Sequence, residues 1–224
     1  MNLIEKATIR HYHNHRIAAY RSGTFKALGW RSKSSQIKRF EVIATIGNLN
    51  ECTLLDIGCG YGDLKRFLDQ AFTNYTYIGI DQMPQFISVA NKRYGALPNT
   101  YFFQSDFATV EFPKVDYVVA SGAFAYRCQS QNFHFEMIRK MYAAATRAVA
   151  FNMLDAARFP KHDLLIGHNI DRVAAFCLQL SHRTKVIKGY LPDDFTMIVN
   201  KGSDHTSGYE NTAQPERKNH EHSR

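Results

Sequence analysis

A chain of 224 residues, 45% hydrophobic and 13% aromatic, can form one domain with a sizeable core and leaves little room for a second. No apolar run approaches the roughly 18–20 residues that span a bilayer, and Met1 to Arg10 lacks the apolar stretch of a secretory signal, so a cytoplasmic protein is expected. Net charge is +8, and nine Lys/Arg against Glu5 and Glu41 in residues 1–50 supply +7 of it, leaving the rest close to neutral.

Residues 1–33 read as a basic N-terminal arm with helical potential, interrupted at Ser22-Gly23 and at Gly29. Its charge suits RNA, an acidic membrane surface or a carboxylate-bearing substrate. Scattered charges without interleaved aromatics are more often a solvated helical face. His11, His13 and His15 alternate within the arm, but on a helix only His11 and His15 share a face, so no metal site is expected. Cys52, Cys59, Cys128 and Cys177 lack C-x-x-C spacing and read as reduced thiols.

From Ser34 onward Ile37, Phe40, Ile43 and Ala44 recur at helical spacing, with Ser34 or Ser35 as the N-cap. Strands are expected near 53–58, 75–81, 99–106, 115–121, 148–153, 184–191 and 195–201. Helices are expected near 62–72, 84–94, 131–146 and 170–180. The alternation implies right-handed βαβ crossovers, hence an α/β fold with a mainly parallel sheet covered on both faces. Only Pro192-Asp193-Asp194 separates the last two strands, which therefore form an antiparallel hairpin. The polar stretch 202–224 shows no periodicity and is expected to be disordered.

The richest segment is Asp56-Ile57-Gly58-Cys59-Gly60-Tyr61-Gly62, a buried strand entering a glycine-rich turn and then a helix. Such a turn lets backbone N–H groups approach a ligand closely. Asp81 ends the following apolar run and Asp106 the one after it, so acids stand at two successive strand ends, as a nucleoside site requires. Gly62 falls one residue early for Gly-x-Gly-x-x-Gly, which disfavours a nicotinamide dinucleotide.

With Gly79-Ile80-Asp81, Gln104-Ser105-Asp106-Phe107 and Asp116-Tyr117-Val118-Val119-Ala120-Ser121-Gly122, these motifs make residues 34–201 resemble a Rossmann-like class I S-adenosylmethionine-dependent methyltransferase, of seven strands with the last reversed. Small bacterial members, some likened to trans-aconitate methyltransferases, are the most similar group. The resemblance implies S-adenosyl-L-methionine as cofactor. It places Gly58 and Gly60 against the methionine and ribose, where a Cβ would intrude, and gives Asp81, beside Gln82, the ribose hydroxyls. Asp106 and Phe107 would take the adenine edge, and Asp56 the loop or the ligand ammonium. Ser121 lies at the end of the strand where the methyl group sits. Trp30 and Arg39 precede the first strand, where relatives fold an arm over the cofactor; Trp30 would face the sulfonium and Arg39 the ligand carboxylate.

The acceptor side is less defined. Ala120-Ser121-Gly122-Ala123-Phe124 stands where base-amine and glutamine methyltransferases often carry Asn/Asp-Pro-Pro-aromatic, and Cys128 follows Arg127 rather than Pro, so cytosine-carbon chemistry is not expected. Candidate bases are Tyr126, His134, His162 and His168, with Arg127 or Arg158 for an acceptor carboxylate. The expected activity is in-line methyl transfer to a small metabolite, with a carboxylate on the acceptor as one option. The alternatives are an RNA or protein methyltransferase docking through the arm, a non-catalytic binding module and, least favoured, an NAD-dependent oxidoreductase.

Overall fold

The computed structural model describes residues 1–202; the stretch expected to be disordered lies, Gly202 apart, outside the described residues. Helix α1 (Leu3–Tyr20) starts at Asn2, whose side chain accepts from the Glu5 N–H while the Glu5 carboxylate takes the Asn2 N–H, a closed capping box. Helix α2 (Lys33–Ala44) starts in the same way at Ser32, so the N-cap is Ser32 rather than Ser34 or Ser35. The Ser32 hydroxyl accepts from the Ser35 N–H, and Ser35 bonds back.

The central sheet contains β1 (Thr53–Ile57), β2 (Thr76–Asp81), β3 (Thr100–Gln104), β4 (Val115–Ala120), β5 (Ala145–Asp155), the two-residue β6 (Gly167–His168), β7 (Thr184–Lys188) and β8 (Asp194–Asn200). Its order is β3-β2-β1-β4-β5-β8-β7, with β6 beside β5. Every pairing is parallel except β5 with β8 and β7 with β8. The C-terminal hairpin is therefore antiparallel as expected, although its connection runs from Gly189 to Asp193, longer than three residues. Gly189 at φ 87 turns the chain out of β7, and Asp194 already belongs to β8. β5 starts directly where α5 (Phe133–Ala144) ends, which makes it longer than the periodicity suggested.

Both faces of the sheet are covered. Phe133, Met137, Ile138 and Met141 of α5, with Val173 and Cys177 of α6 (Ile170–Leu180), pack on one face against Val118, Phe151 and Met197. Phe40 and Ile43 of α2, Leu64 and Leu68 of α3 (Asp63–Leu68), and Ile87 and Ala90 of α4 (Pro84–Tyr94) cover the other, against Leu54, Tyr117 and Val119. Alternate residues of β4 thus serve opposite cores, as the period of a strand requires. β1 and β4 are neighbours whose following elements diverge to opposite sides of the sheet, the point where open α/β sheets leave a crevice at the strands' carboxyl ends.

The basic arm is folded. Helix α1 ends at Arg21, φ 63, and positive φ at Gly23 and Gly29 turns the chain back towards α2. Ile9 and His13 of α1 and Ala27 of the turn are buried, so this segment packs over the sheet's carboxyl end.

Candidate functional site

All three loop glycines have positive φ: 72 at Gly58, 56 at Gly60 and 74 at Gly62. That backbone region is costly for residues with a Cβ. The Gly58 and Cys59 N–H groups donate to the Ile80 carbonyl at 2.8 and 3.0 Å, pinning the loop to β2. A Cβ on Gly58 would lie 2.9 Å from the Ala123 Cβ, and one on Gly60 2.8 Å from Leu28 Cδ2. Close packing of Ala123 and Leu28 thus gives these positions a reason for glycine within the protein itself, beside their place in the cavity wall.

Above the loop lies a cavity of about 440 Å³. Its floor is the glycine loop with the ends of β2 and β4. Ile9, Tyr12 and His13 of α1 form a lid with Leu28, Gly29 and Trp30, and Phe159, Pro160, His162 and Leu165 form the far wall. Asp56, Gly58, Gly60, Asp81, Gln82, Phe107, Ser121, Trp30 and Arg39 all line it. Asp106 does not: its carboxylate pairs with Lys6 of α1 at 2.5 Å and caps the Ala108 N–H at 3.0 Å. The Lys6 ammonium and that backbone bond hold the Asp106 carboxyl below its usual range against the opposing effect of burial.

The two acids at the centre are differently employed. Asp81 accepts from the Gly60 N–H at 3.0 Å and the Met83 N–H at 2.8 Å, so it joins the glycine loop to the start of α4. Burial pushes its carboxyl up to about 6, with those backbone donors acting the other way. Asp56 is 2% exposed; its Oδ2 accepts from the Tyr77 hydroxyl at 2.5 Å, while its Oδ1 has no partner. Burial, above all, pushes Asp56 up to about 7. The buried Ser121 Oγ is likewise without a partner. Unpaired buried polar atoms are costly unless a ligand satisfies them. A free carboxylate oxygen suits an ammonium, and a free hydroxyl suits either a donor or an acceptor.

Arg39 is not free to meet a ligand carboxylate. Its guanidinium forms a buried ion pair with Asp194 of β8, donates from Nε at 2.6 Å to the same oxygen, and reaches the Ser35 carbonyl at 3.1 Å. It also lies 4.9 Å from the Trp30 ring centroid, so one face of the indole is taken by Arg39 itself. The edge of Trp30 sits close over Gly122, φ 77, where a Cβ would come within 2.6 Å of the ring. Asp194 accepts in turn from Asn152 at 3.1 Å, and the Asn152 carbonyl oxygen takes the Gly122 N–H at 2.8 Å. The turn after β4 is thereby fixed from two sides. Sequence reasoning missed Asn152 and Asp194; the signal was a lone amide inside the apolar run Val149-Ala150-Phe151-Asn152-Met153.

The candidate bases separate. His134 and His168 face one another beneath the 3-10 turn Ala123–Ala125, their Nε2 atoms on the Tyr126 and Phe124 carbonyls at 3.2 Å each, and neither lines the cavity. His162 does, but its Nδ1 accepts from the Leu164 and Leu165 N–H groups at 3.1 Å. Tyr126 lines the cavity and its hydroxyl lies 2.6 Å from His13 Nε2. No cluster of metal-holding side chains occurs among the described residues, and His13 of the alternating triplet faces Tyr126 instead. Arg158 is exposed beside Asp155, and Arg127 donates to the His162 carbonyl, so neither presents a free charge to the cavity.

Residues 54–147 match the family described as "Methyltransferase domain". "Putative methyltransferase Rv1506c" of Mycobacterium tuberculosis is 32% identical over 160 residues, covering 66% of this chain and 92% of that protein. Among solved structures, magnesium protoporphyrin IX methyltransferase from Synechocystis PCC 6803 with bound S-adenosylhomocysteine superposes with a TM-score of 0.65 at 19% identity, over 88% of this chain and 100% of that one. The N-methyltransferase NodS of Bradyrhizobium japonicum WM9, also with S-adenosylhomocysteine, superposes at 0.61 with 15% identity over 87% and 98%. At these identities the two structures speak for the fold, and the sequence relative speaks for kinship. The chain belongs to the methyltransferases, on the fold of the class I S-adenosylmethionine-dependent enzymes.

Proposed function

We propose that this protein transfers a methyl group from S-adenosylmethionine to a small-molecule acceptor enclosed under α1. The observation that carries this reading is the lidded cavity. A packed helix covers part of it where a polymer would need an open trough, and its volume of about 440 Å³, which the donor shares, leaves room for a small acceptor. S-adenosylmethionine supplies an electrophilic methyl carbon on a sulfonium. The residues suit such a ligand: Asp56 Oδ1 offers a free acceptor to its ammonium, Asp81 stands where the ribose hydroxyls belong, and Phe107 gives apolar cover to the adenine. Ser121 Oγ and the open part of the Trp30 surface face the same space. Holding donor and acceptor in line and close under the lid is worth up to ~7–11 kcal/mol in well-oriented systems.

A carboxylate on the acceptor would be met by Arg31, which lines the cavity with a side chain 73% exposed beside Asp193. The reduced thiols fit a cytoplasmic setting. An RNA acceptor is the less favoured reading, because Lys6 and Arg39 of the basic segment are engaged by Asp106 and Asp194. Calorimetric titration with S-adenosylhomocysteine, followed by a labelled-methyl screen of metabolite, RNA and protein fractions, tests the reading. Label confined to RNA or protein, with binding that weakens steeply with salt for RNA, would replace it.

A further inference from the structure

We propose that Tyr126 and His13 are the proton-accepting pair for the methyl acceptor, and hence that the group methylated carries a proton before transfer, as a hydroxyl or an amine does, and is not a carboxylate. The inference rests on the small-molecule reading above. Its basis is the 2.6 Å contact between the Tyr126 hydroxyl and His13 Nε2 in the cavity wall, together with how other candidate groups are already used. Asp81 has an oxygen on each of two backbone amides, Asp63 is held by Gln36 and Arg93, and Asp193 by Arg31. Asp56 Oδ1 is reserved for the donor's ammonium. The His162 lone pair is taken by two amides.

The pair is held from both sides. Tyr126 bridges to Leu165 in antiparallel fashion, and the Arg127 N–H donates to the Leu164 carbonyl at 2.9 Å, so the wall strand fixes its backbone. The His13 ring packs edge-on against Tyr12, Phe86 and Tyr126. Burial, chiefly, pushes its imidazole down to about 4, Arg16 on the same helix acts in the same direction, and the Ala27 backbone opposes them. Burial, chiefly, raises the Tyr126 hydroxyl well above the usual phenol range, with Tyr12 and Asp81 acting the same way and Arg16 against them. His13 is therefore neutral and a weak base in the free protein, so the relay from Tyr126 draws on the loss of the sulfonium charge during the transfer itself.

In the step, the acceptor's lone pair forms the bond to the methyl carbon while the carbon–sulfur bond breaks with its electron pair remaining on sulfur. The acceptor's proton passes to Tyr126 Oη as the tyrosine's own proton passes to His13 Nε2. The positive charge that leaves sulfur is replaced by one on imidazole, so the buried cavity keeps its net charge. A carboxylate acceptor, already deprotonated, would leave the pair without a task.

Two measurements on the full chain test this. Nitrogen-15 spectra of labelled histidine, with the His13 resonance identified by its loss in H13Q, should show the proton on Nδ1 near neutral pH. A proton on Nε2 overturns the proposal. In labelled-methyl transfer to the metabolite fraction, products should be stable to mild alkali, and Y126F should lower transfer by about 100-fold or more while S-adenosylhomocysteine affinity stays within about threefold, the contact being outside the reading's donor contacts. Label released by alkali as methanol marks methyl esters and overturns the proposal alone. Transfer by Y126F at the parent rate, or loss of its S-adenosylhomocysteine affinity, does so too. Absence of transfer to any small-molecule fraction sinks the preceding reading, and the pair with it.

Discussion

Arg39 of α2 and Asp194 of β8 are 155 positions apart and meet as a buried ion pair beside the lidded cavity. The arginine stacks on Trp30, and the aspartate holds Asn152, which holds Gly122. One charge pair thus couples the element before the first strand to the turn that follows β4.

Replacing Arg39 with Ala leaves Asp194 buried without its cation, and removing one partner of such a pair costs about 3–5 kcal/mol. Urea unfolding of R39A should show that loss. A double variant, R39M with D194L, should recover much of it, since apolar replacements avoid the stranded charge. S-adenosylhomocysteine binding by R39A at a temperature where it stays folded should change far less than its stability.

Asp56 gives a pH signature. Its folded-state carboxyl stands at about 7, above the ordinary 3.8, so the folded protein binds the proton more tightly than the unfolded chain. Stability from this group is fully present at low pH and falls as pH rises from about 4 to about 7. Comparing unfolding midpoints of the parent and D56N across that range should isolate the slope. An incoming ammonium favours the carboxylate, so S-adenosylhomocysteine binding near pH 6.5 should release protons, visible as a dependence of binding heat on buffer ionisation enthalpy.

Asp81 ties the glycine loop to the start of α4, and the proposed reading also gives it the ribose hydroxyls. D81A removes the acceptor for the Gly60 and Met83 amides and leaves both donors unsatisfied, at about 1–3 kcal/mol each if they stay dry. We expect lower stability and at least about tenfold weaker S-adenosylhomocysteine binding, because charge-assisted hydrogen bonds are worth about 1.5–3 kcal/mol. Unchanged affinity in a folded D81A would remove the ribose assignment.

Lys6 holds the Asp106 carboxylate outside the cavity lining. If Asp106 accepts from the adenine amino group, K6A frees it and should tighten S-adenosylhomocysteine binding by about two- to fivefold, the scale of a partly exposed ion pair. Weaker binding in K6A would show that the lysine, not the adenine, is the partner Asp106 needs.

Gly58→Ala tests the loop's steric logic. At φ 72 the new Cβ would also press on Ala123, so the variant should lose stability by more than the roughly 1 kcal/mol that a left-handed backbone costs alone. Thermal unfolding with and without S-adenosylhomocysteine would separate strain from lost binding.

The strand and helix succession was legible because buried strands and amphipathic helices repeat at different periods, and the glycine turn was legible because positive φ selects glycine. The acids of the site were legible as types at strand ends. What those acids and cations would pair with was not, since Arg39 with Asp194, Lys6 with Asp106 and His13 with Tyr126 are contacts between segments far apart in the chain. The start of α2 was misread by two or three residues because three serines near it all have capping side chains, and reciprocal bonding with Ser35 selects Ser32.

By itself, then, the order of residues determined the layers, the reversed final strand and the glycine turn with acids at the strand ends, because local periodicity and backbone stereochemistry are carried by neighbours in the chain. Only the tertiary structure decided that the basic segment is a lid, that two of its cations are engaged by Asp106 and Asp194, and that His13 faces Tyr126. Charge pairing and burial depend on which distant side chain arrives, and packing alone determines that.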